Sequence, residues 1–291
     1  MKRWLIIGAG DVAARMVPLI QHRARLFALC RNPEKADYWR DLGTTPIIGD
    51  LDDPQSLTQI AGIAEGVFHF APPNLGGDKD LRTRHLISAL SRSNSLPQHI
   101  VYISTTGVYG DQQGGWVDET TRKQTQSARA IRRVDAENQL RRFACHQTIK
   151  LTILRAPGIY AEDRLPLKRL SDQLPLVTKE EDSWSNHIHA LDLARSAVKS
   201  MYQPRNSRAY NVVDNEPMQI GDFYDQLADH FQLNRAPRLA KEQVKNIISE
   251  ISWSFIAESR KITNQRLTKE LNFEFLYPSV TSCLAKLKLI K

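Results

Sequence analysis

Cysteine is scarce in this 291-residue chain: Cys30, Cys145 and Cys283 are its three, far apart and with no Cys-x-x-Cys pair among them. An odd number so spaced argues against a disulfide framework and a cysteine zinc site, and fits a reducing compartment. Long apolar runs are missing too. The run Trp4 to Ala9 follows Lys2-Arg3 as the core of a secretory signal would, but Asp11 and Arg15 break it too early. No stretch approaches the roughly 20 apolar residues of a membrane-spanning helix, so a cytoplasmic protein is expected. Internal repeats, low-complexity tracts and Gly/Ser-rich linkers are absent as well, which gives no reason to expect an independent second domain.

What is present is ordinary for a soluble globular protein, with 41% hydrophobic and 25% charged residues. The net charge of +8 is uneven. Residues 122–150 hold eight Lys/Arg against two acids, Asp135 and Glu137. Nothing resembling a zinc finger, a homeodomain or an aromatic-interleaved RNA-binding pattern accompanies them. The run is therefore read as the solvated face of one helix rather than a nucleic-acid surface.

The first half alternates two periodicities. Short apolar runs ending at turn residues read as buried strands at Trp4–Gly8, Arg25–Cys30, Pro46–Ile48, Gly66–Ala71, His99–Ser104 and Leu151–Arg155. Helices are expected over Val12–Gln21, Asp80–Ser91 and Ala128–Cys145, and a last short strand over Ala209–Val213. Strands separated by crossover helices imply a parallel sheet, and right-handed crossovers leave a doubly wound Rossmann-type α/β fold. The division that follows is a nucleotide-binding domain over 1–215, containing a loop-rich insertion at 156–190, and a mainly helical substrate lobe over 216–291.

The sharpest local signal is Gly8-Ala9-Gly10-Asp11-Val12-Ala13, between the first strand and the first helix. A Gly-x-Gly-x-x-Gly/Ala pattern there suits a dinucleotide pyrophosphate: Gly8 makes the tight turn, Gly10 admits close approach, and Ala13 serves helix packing. Free N–H groups at Asp11 and Val12 then meet the phosphates at the positive end of the helix. After the second strand stands Arg31, followed by Asn32 and Lys35, where an NAD-selective protein carries an acid. A guanidinium fork suits a 2′-phosphate, so NADP is expected in preference to NAD. Asp50 and Leu51 are placed at the adenine, with Asp50 alternatively a helix cap for the segment after Pro54. Pro72, closing the fourth strand, completes this set.

Further motifs then follow in order. Ser104-Thr105-Thr106-Gly107-Val108-Tyr109-Gly110 resembles the Ser-Ser/Thr-x-x-Val-Tyr-Gly signature of extended short-chain dehydrogenases/reductases, the NAD-dependent epimerase/dehydratase group. Arg155 to Tyr160, Asn186 to Asp192 and Tyr210-Asn211-Val212 are similar to later motifs of that family. The resemblance implies a Ser/Thr hydroxyl on the reacting carbonyl or alcohol, a Tyr acid/base, and a Lys four residues later. The hydroxyl carries over to Thr105, which also has a simpler reading as a cap on the strand end.

The other two do not carry over. Aligning on Ala136-Glu137 puts Arg129 at the Tyr position and Arg133 at the Lys position, and no tyrosine lies between Tyr109 and Tyr160. An arginine is always protonated and cannot shuttle a proton, whereas Arg133 keeps a cation for a ribose or phosphate. The chain thus resembles an atypical branch of the family. His187, His189 and Asp192 are read as a cap and a packing contact rather than metal ligands. Two functions stay open: an NADP-linked oxidoreductase or epimerase-like enzyme, and a non-catalytic NADP-binding sensor with the basic helix at 129–142 as its partner surface. The resemblance implies a small-molecule substrate, such as a nucleotide sugar or another carbonyl or alcohol, and a monomer or homodimer.

Overall fold

Strand β1 (Lys2–Ile7) is an interior strand, next to the central one, of a seven-stranded sheet in a computed structural model that describes residues 1–287. The other strands are β2 (Ala24–Cys30), β3 (Thr44–Ile48), β4 (Gly66–His69), β5 (His99–Thr105), β6 (Lys150–Ala156) and β7 (Arg208–Asn211). Their order is β7-β6-β5-β4-β1-β2-β3, and every neighbouring pair is parallel. This is the doubly wound Rossmann-type sheet that the alternation predicts.

Both faces are covered, which explains why the strands read as continuous apolar runs. Trp4 and Ile6 face one cluster, with Met16, Val17 and Ile20 of α1 (Asp11–Ile20). Leu5 and Ile7 face the other, with Leu86 and Leu90 of a helix at Leu81–Leu90 and Leu140 and Phe143 of a long helix at Ala128–His146. A single-turn helix at Ala36–Asp41 precedes them, so in chain order these are α2 (36–41), α3 (81–90) and α4 (128–146). Element ends differ from the expectation by a residue or two, for physical reasons. Asp80 caps α3, accepting from the Thr83 N–H, so it lies outside the helix. Pro46 is tolerated inside β3 because β3 is an edge strand with one neighbour.

The basic run is only in part a solvated face: Arg122, Arg129, Arg142 and Lys150 are exposed, and others turn inward. Arg132 of α4 is buried and donates to the Gly77 carbonyl at 2.8 Å, and half-buried Arg133 donates to that of Ile103 at 2.7 Å. Charge pattern alone does not say which way a long side chain turns; its stem can lie along the core while its head finds a carbonyl.

Beyond β6 a third apolar cluster joins Tyr160, Leu170 and Val177 to Met218, Phe223, Leu227, Val244 and Ile256. Its helices are α5 (Leu167–Ser171), α7 (Ile220–His230), α8 (Lys241–Ile247), α9 (Glu250–Ile256) and α11 (Val280–Lys286), while α6 (Ala190–Tyr202) and α10 (Gln265–Leu271) pack on the sheet. Two-residue strand pairs, such as Leu176–Val177 with Arg238–Leu239, tie the segments together. No described helix is long and apolar enough to cross a membrane.

Glu137 of α4 is fully buried and binds Arg155 of β6 through two oxygens, at 3.1 and 2.9 Å. Burial alone would push its carboxyl up, but Arg155 and Lys123 bring it down to about 2 from 4.5. A depressed carboxylate pKa stabilises the fold above the unfolded value, and that stability is lost as pH falls from 4.5 toward 2. Glu137→Ala should cost about 3–5 kcal/mol by leaving Arg155 buried and unpaired. Glu137→Gln should flatten the acid limb of urea-unfolding stability below pH 4.5; an unchanged limb would place the acid sensitivity elsewhere.

Candidate functional site

The C-terminal ends of the parallel strands open into two cavities. The first, about 430 Å³, is lined by Gly8, Gly10, Arg31, Asp50, Leu51 and Pro72 among others. Asn32, Lys35 and Arg82 also face it. Gly8 has a φ of +90°, and a Cβ there would stand 2.3 Å from the Ala71 nitrogen, so no other residue fits the turn. Gly10 is different: a Cβ would meet nothing within 4 Å. The cradle around Gly10 is open space at the first turn of α1, as a closely approaching phosphate requires.

Two residues of the expected nucleotide set lie apart from that lining. Val12 packs on the core cluster beneath α1. Asp11 turns outward to Arg15 and to Arg164 at 2.7 Å. Partial burial pushes its carboxyl up, and the two guanidiniums outweigh this and hold it below the usual carboxylate range. Of the two readings of Asp50, the cap belongs to a neighbour. Asp53 accepts from the Gln55 N–H at 3.1 Å and starts the turn Pro54–Ile60, whereas Asp50 accepts from the Asp52 N–H.

The second cavity, about 710 Å³, brings together Thr105, Arg129 and Arg133. Thr105 ends β5, and its hydroxyl accepts from the Gly107 N–H at 3.1 Å, capping the turn Thr106–Tyr109. The simpler reading of this residue as a cap therefore holds, and it lines the cavity as well. Arg133 donates from one Nη to the Ile103 carbonyl and, at 3.0 Å, to the Tyr102 hydroxyl. Arg129 lays its guanidinium over the Phe255 ring, 4.1 Å from the centroid.

The opposite wall comes from three residues that sequence reasoning missed, Arg169 of α5, Tyr224 of α7 and Phe255 of α9, together with His187, which was expected as a cap or packing contact. Arg169 and Phe255 lie on helices of five and seven residues, too short for a period to show, and the apolar period of α7 does not tell which cavity Tyr224 lines. His187 is buried and stacks on Phe223 at 4.4 Å, and burial lowers its pKa to about 4. It is neutral at pH 7.

His189 does not share the cavity. Its Nδ1 accepts from the Leu191 N–H at 3.2 Å, capping α6, which leaves the proton on Nε2 to donate to Glu162 at 3.1 Å. Cys283 lies with these two within 4.8 Å. A metal would need the Nε2 lone pair, and the cap holds the ring in the opposite tautomer. Asp192 is committed to the Leu276 and Tyr277 N–H groups at 3.1 and 2.8 Å.

A doubly wound sheet with a glycine turn after β1 and a second cavity after β5 defines a Rossmann-type protein of the extended short-chain dehydrogenase/reductase class. The sequence model of the NAD dependent epimerase/dehydratase family matches residues 4–213, and the chain belongs to that family. A functionally unknown conserved protein from Silicibacter pomeroyi is 26% identical, with a TM-score of 0.80 and 98% of this chain and 97% of that one covered. A putative NAD-dependent epimerase/dehydratase from Methylobacillus flagellatus is 24% identical, with a TM-score of 0.71 and 98% and 96% covered. The dTDP-glucose 4,6-dehydratase of Streptomyces venezuelae, solved with NAD bound, is 17% identical with a TM-score of 0.79, covers 98% and 95%, and shares the fold. Protein YeeZ of Escherichia coli is 25% identical over 181 residues, 62% of this chain, and the match spans only 58% of that relative.

The glycines separate by substitution. Gly8→Ala should destabilise by more than about 1–3 kcal/mol, since it combines a positive φ with a backbone clash. Gly10→Ala should cost no more than about 1 kcal/mol, the ordinary penalty at a helix N-cap. Urea denaturation of the two variants reads the difference, and equal losses would remove the distinction.

Proposed function

We propose that the chain is an NADP-linked oxidoreductase or epimerase-like enzyme, built on residues 1–215, with 156–190 and 216–291 forming the substrate side. One arrangement carries the reading. Gly8, Gly10, Arg31, Asp50, Leu51 and Pro72 line one cavity, and Thr105, Arg129 and Arg133 line another at the same edge of the sheet. Family membership supports a dinucleotide and a small-molecule substrate carrying a carbonyl or alcohol. The bound dinucleotide would supply hydride transfer.

Each residue then has a defined task. Gly10 leaves room for the pyrophosphate, with the α1 N–H groups of Asp11 and Val12 directed at it. Arg31, with Asn32 and Lys35, takes the 2′-phosphate. Asp50, Leu51 and Pro72 enclose the adenine end. Thr105 holds the oxygen that reacts. Arg129, at the tyrosine position of the family, cannot donate and recover a proton, but it can polarise an oxygen as a charged donor. Proton transfer must then come from the substrate or from ordered water.

A sensor that binds NADP without turnover is the second reading. Arg133 favours it, because one of its Nη groups is already committed to Ile103 and Tyr102 rather than left for a ribose.

Titrations test the cofactor assignment. Arg31→Asp should weaken NADP binding by ~2 kcal/mol or more and NAD binding much less; equal losses would defeat the preference for NADP. Gly10→Val should abolish binding of both while the thermal transition persists. Turnover decides between enzyme and sensor. NADP-linked activity that falls by ~10²-fold or more in Thr105→Val supports the enzyme. A broad carbonyl and alcohol screen with no turnover, in protein that binds NADP, supports the sensor.

A further inference from the structure

The cavity holding Thr105 has a charge imbalance that its own ion pairs do not remove. Its lining includes six cationic side chains and two carboxylates, Asp172 and Glu258. Lys168 pairs with Asp172 at 3.1 Å, Arg260 with Glu258 at 2.6 Å, and Arg164 reaches out of the cavity to Asp11. That leaves Arg129, Arg133 and Arg169, none of which has a carboxylate within ion-pair distance among the described residues. Arg169 donates to the Pro175 carbonyl at 2.7 Å, and its buried Nε has no partner. Arg129 makes no hydrogen bond to a described residue; it has only the Phe255 ring.

Charges placed this way repel one another and lose part of their hydration without compensation. Arg129 stays exposed while lining the cavity; partial desolvation lowers its pKa, Glu258 pulls the other way, and the charges of Arg133, Arg260 and Arg132 lower it further. Arg129 and Arg133 stand four residues apart and so share one face of α4. The start of α4 packs on the turn that Thr105 caps, with the Ala130 Cβ 3.7 Å from where a Cβ on Gly107 would be. The facing wall is apolar and aromatic: Ile220, Phe223, Tyr224, Phe255 and Ile256.

We propose that this cavity binds a small organic anion, its carboxylate or phosphate head between Arg129 and Arg133 and its apolar body against Phe255, Phe223 and Tyr224. The inference rests on reading the cavity as the substrate site, and it narrows the substrate to a carbonyl or hydroxy compound carrying its own negative charge. A neutral molecule of the same shape leaves the arginines uncompensated and is excluded on that ground. Charge-assisted donors from two guanidiniums fix the head in one orientation, so the oxygen that Thr105 meets is presented in one way.

Isothermal titration of the full chain with phenylacetate, phenyl phosphate and phenylacetamide tests this. At least one of the two anions should bind roughly tenfold or more tighter than the amide. The preferred anion identifies the head group. Arg129→Gln should abolish that preference, Arg129→Lys should retain part of it, and Phe255→Ala should weaken acid and amide alike. Because Arg129 bonds to no described protein group, its loss is not expected to disturb the fold, and a far-ultraviolet spectrum verifies this. Equal binding of anion and amide, or an anion preference unchanged in Arg129→Gln, overturns the proposal. NADP titration of the same samples keeps the two claims apart. Anion binding without NADP binding defeats the cofactor reading alone, and NADP binding without anion preference defeats this one alone.

Discussion

A single carboxylate, that of Glu137, holds the functional edge of the sheet in register. It is buried on α4 and receives Arg155 from β6, Lys123 from the preceding loop at 2.8 Å and the Ser104 hydroxyl from β5 at 2.8 Å. Arg155 passes the connection on to the Tyr109 hydroxyl at 2.9 Å, which donates to Asn211 of β7 at 2.6 Å. One chain of buried polar contacts therefore spans α4 and three strands. Such a network costs desolvation energy, and it is tolerated only when nearly every member is satisfied. In return it fixes the rotation of α4. Arg133 and Arg129 lie about one and two turns before Glu137 on that helix, so the same constraint sets them over the end of β5.

Much of this was legible in the sequence, because the signals were local. A strand buried on both faces is a short apolar run, and the turn after β1 needs glycine for a steric reason visible in six residues, Gly8 to Ala13. The residues after β2, β3 and β4 could be named because chain order fixes which strand ends meet in a doubly wound sheet. What was not legible depends on side chains turning. Arg132 and Arg133 belong to a basic run whose charges suggest solvent, yet their heads find the Gly77 and Ile103 carbonyls. Asp53 rather than Asp50 caps the turn after Pro54, and the two are equivalent in composition. The aromatic wall around Phe255 and Tyr224 comes from α9 and α7 of the third apolar cluster. A period shows which face of α7 is apolar, but which cavity that face meets is decided by tertiary contact.

Ion pairs as well as the sheet hold the wall of the larger cavity to the helix that follows the glycine turn. Asp11, at the first turn of α1, binds Arg164, and Arg15 of the same helix binds Asp163. The donor Arg164 and the acceptor Asp163 both lie in the turn Glu162–Arg164, just before α5. These pairs are largely exposed, and each is worth little in water. Their importance is positional: they tie the segment before α5, whose Arg164 lines the larger cavity, to the first turns of α1.

The arginines at the tyrosine and lysine positions can now be weighed as chemistry. A tyrosine at that position works by giving up and regaining a proton, and its neighbour works by lowering the tyrosine pKa. Arg129 can do neither, since its guanidinium stays charged even where partial desolvation and three other arginines oppose it. A fixed positive charge does something a tyrosine cannot: it stabilises negative charge on an oxygen throughout a reaction, without a proton being exchanged. A site rebuilt this way would bind an oxyanion strongly and would depend on the substrate or water for its proton. On the proposed reading, the same residue choice would remove the family's proton relay and supply an anion pocket, and neither change would require the fold to alter.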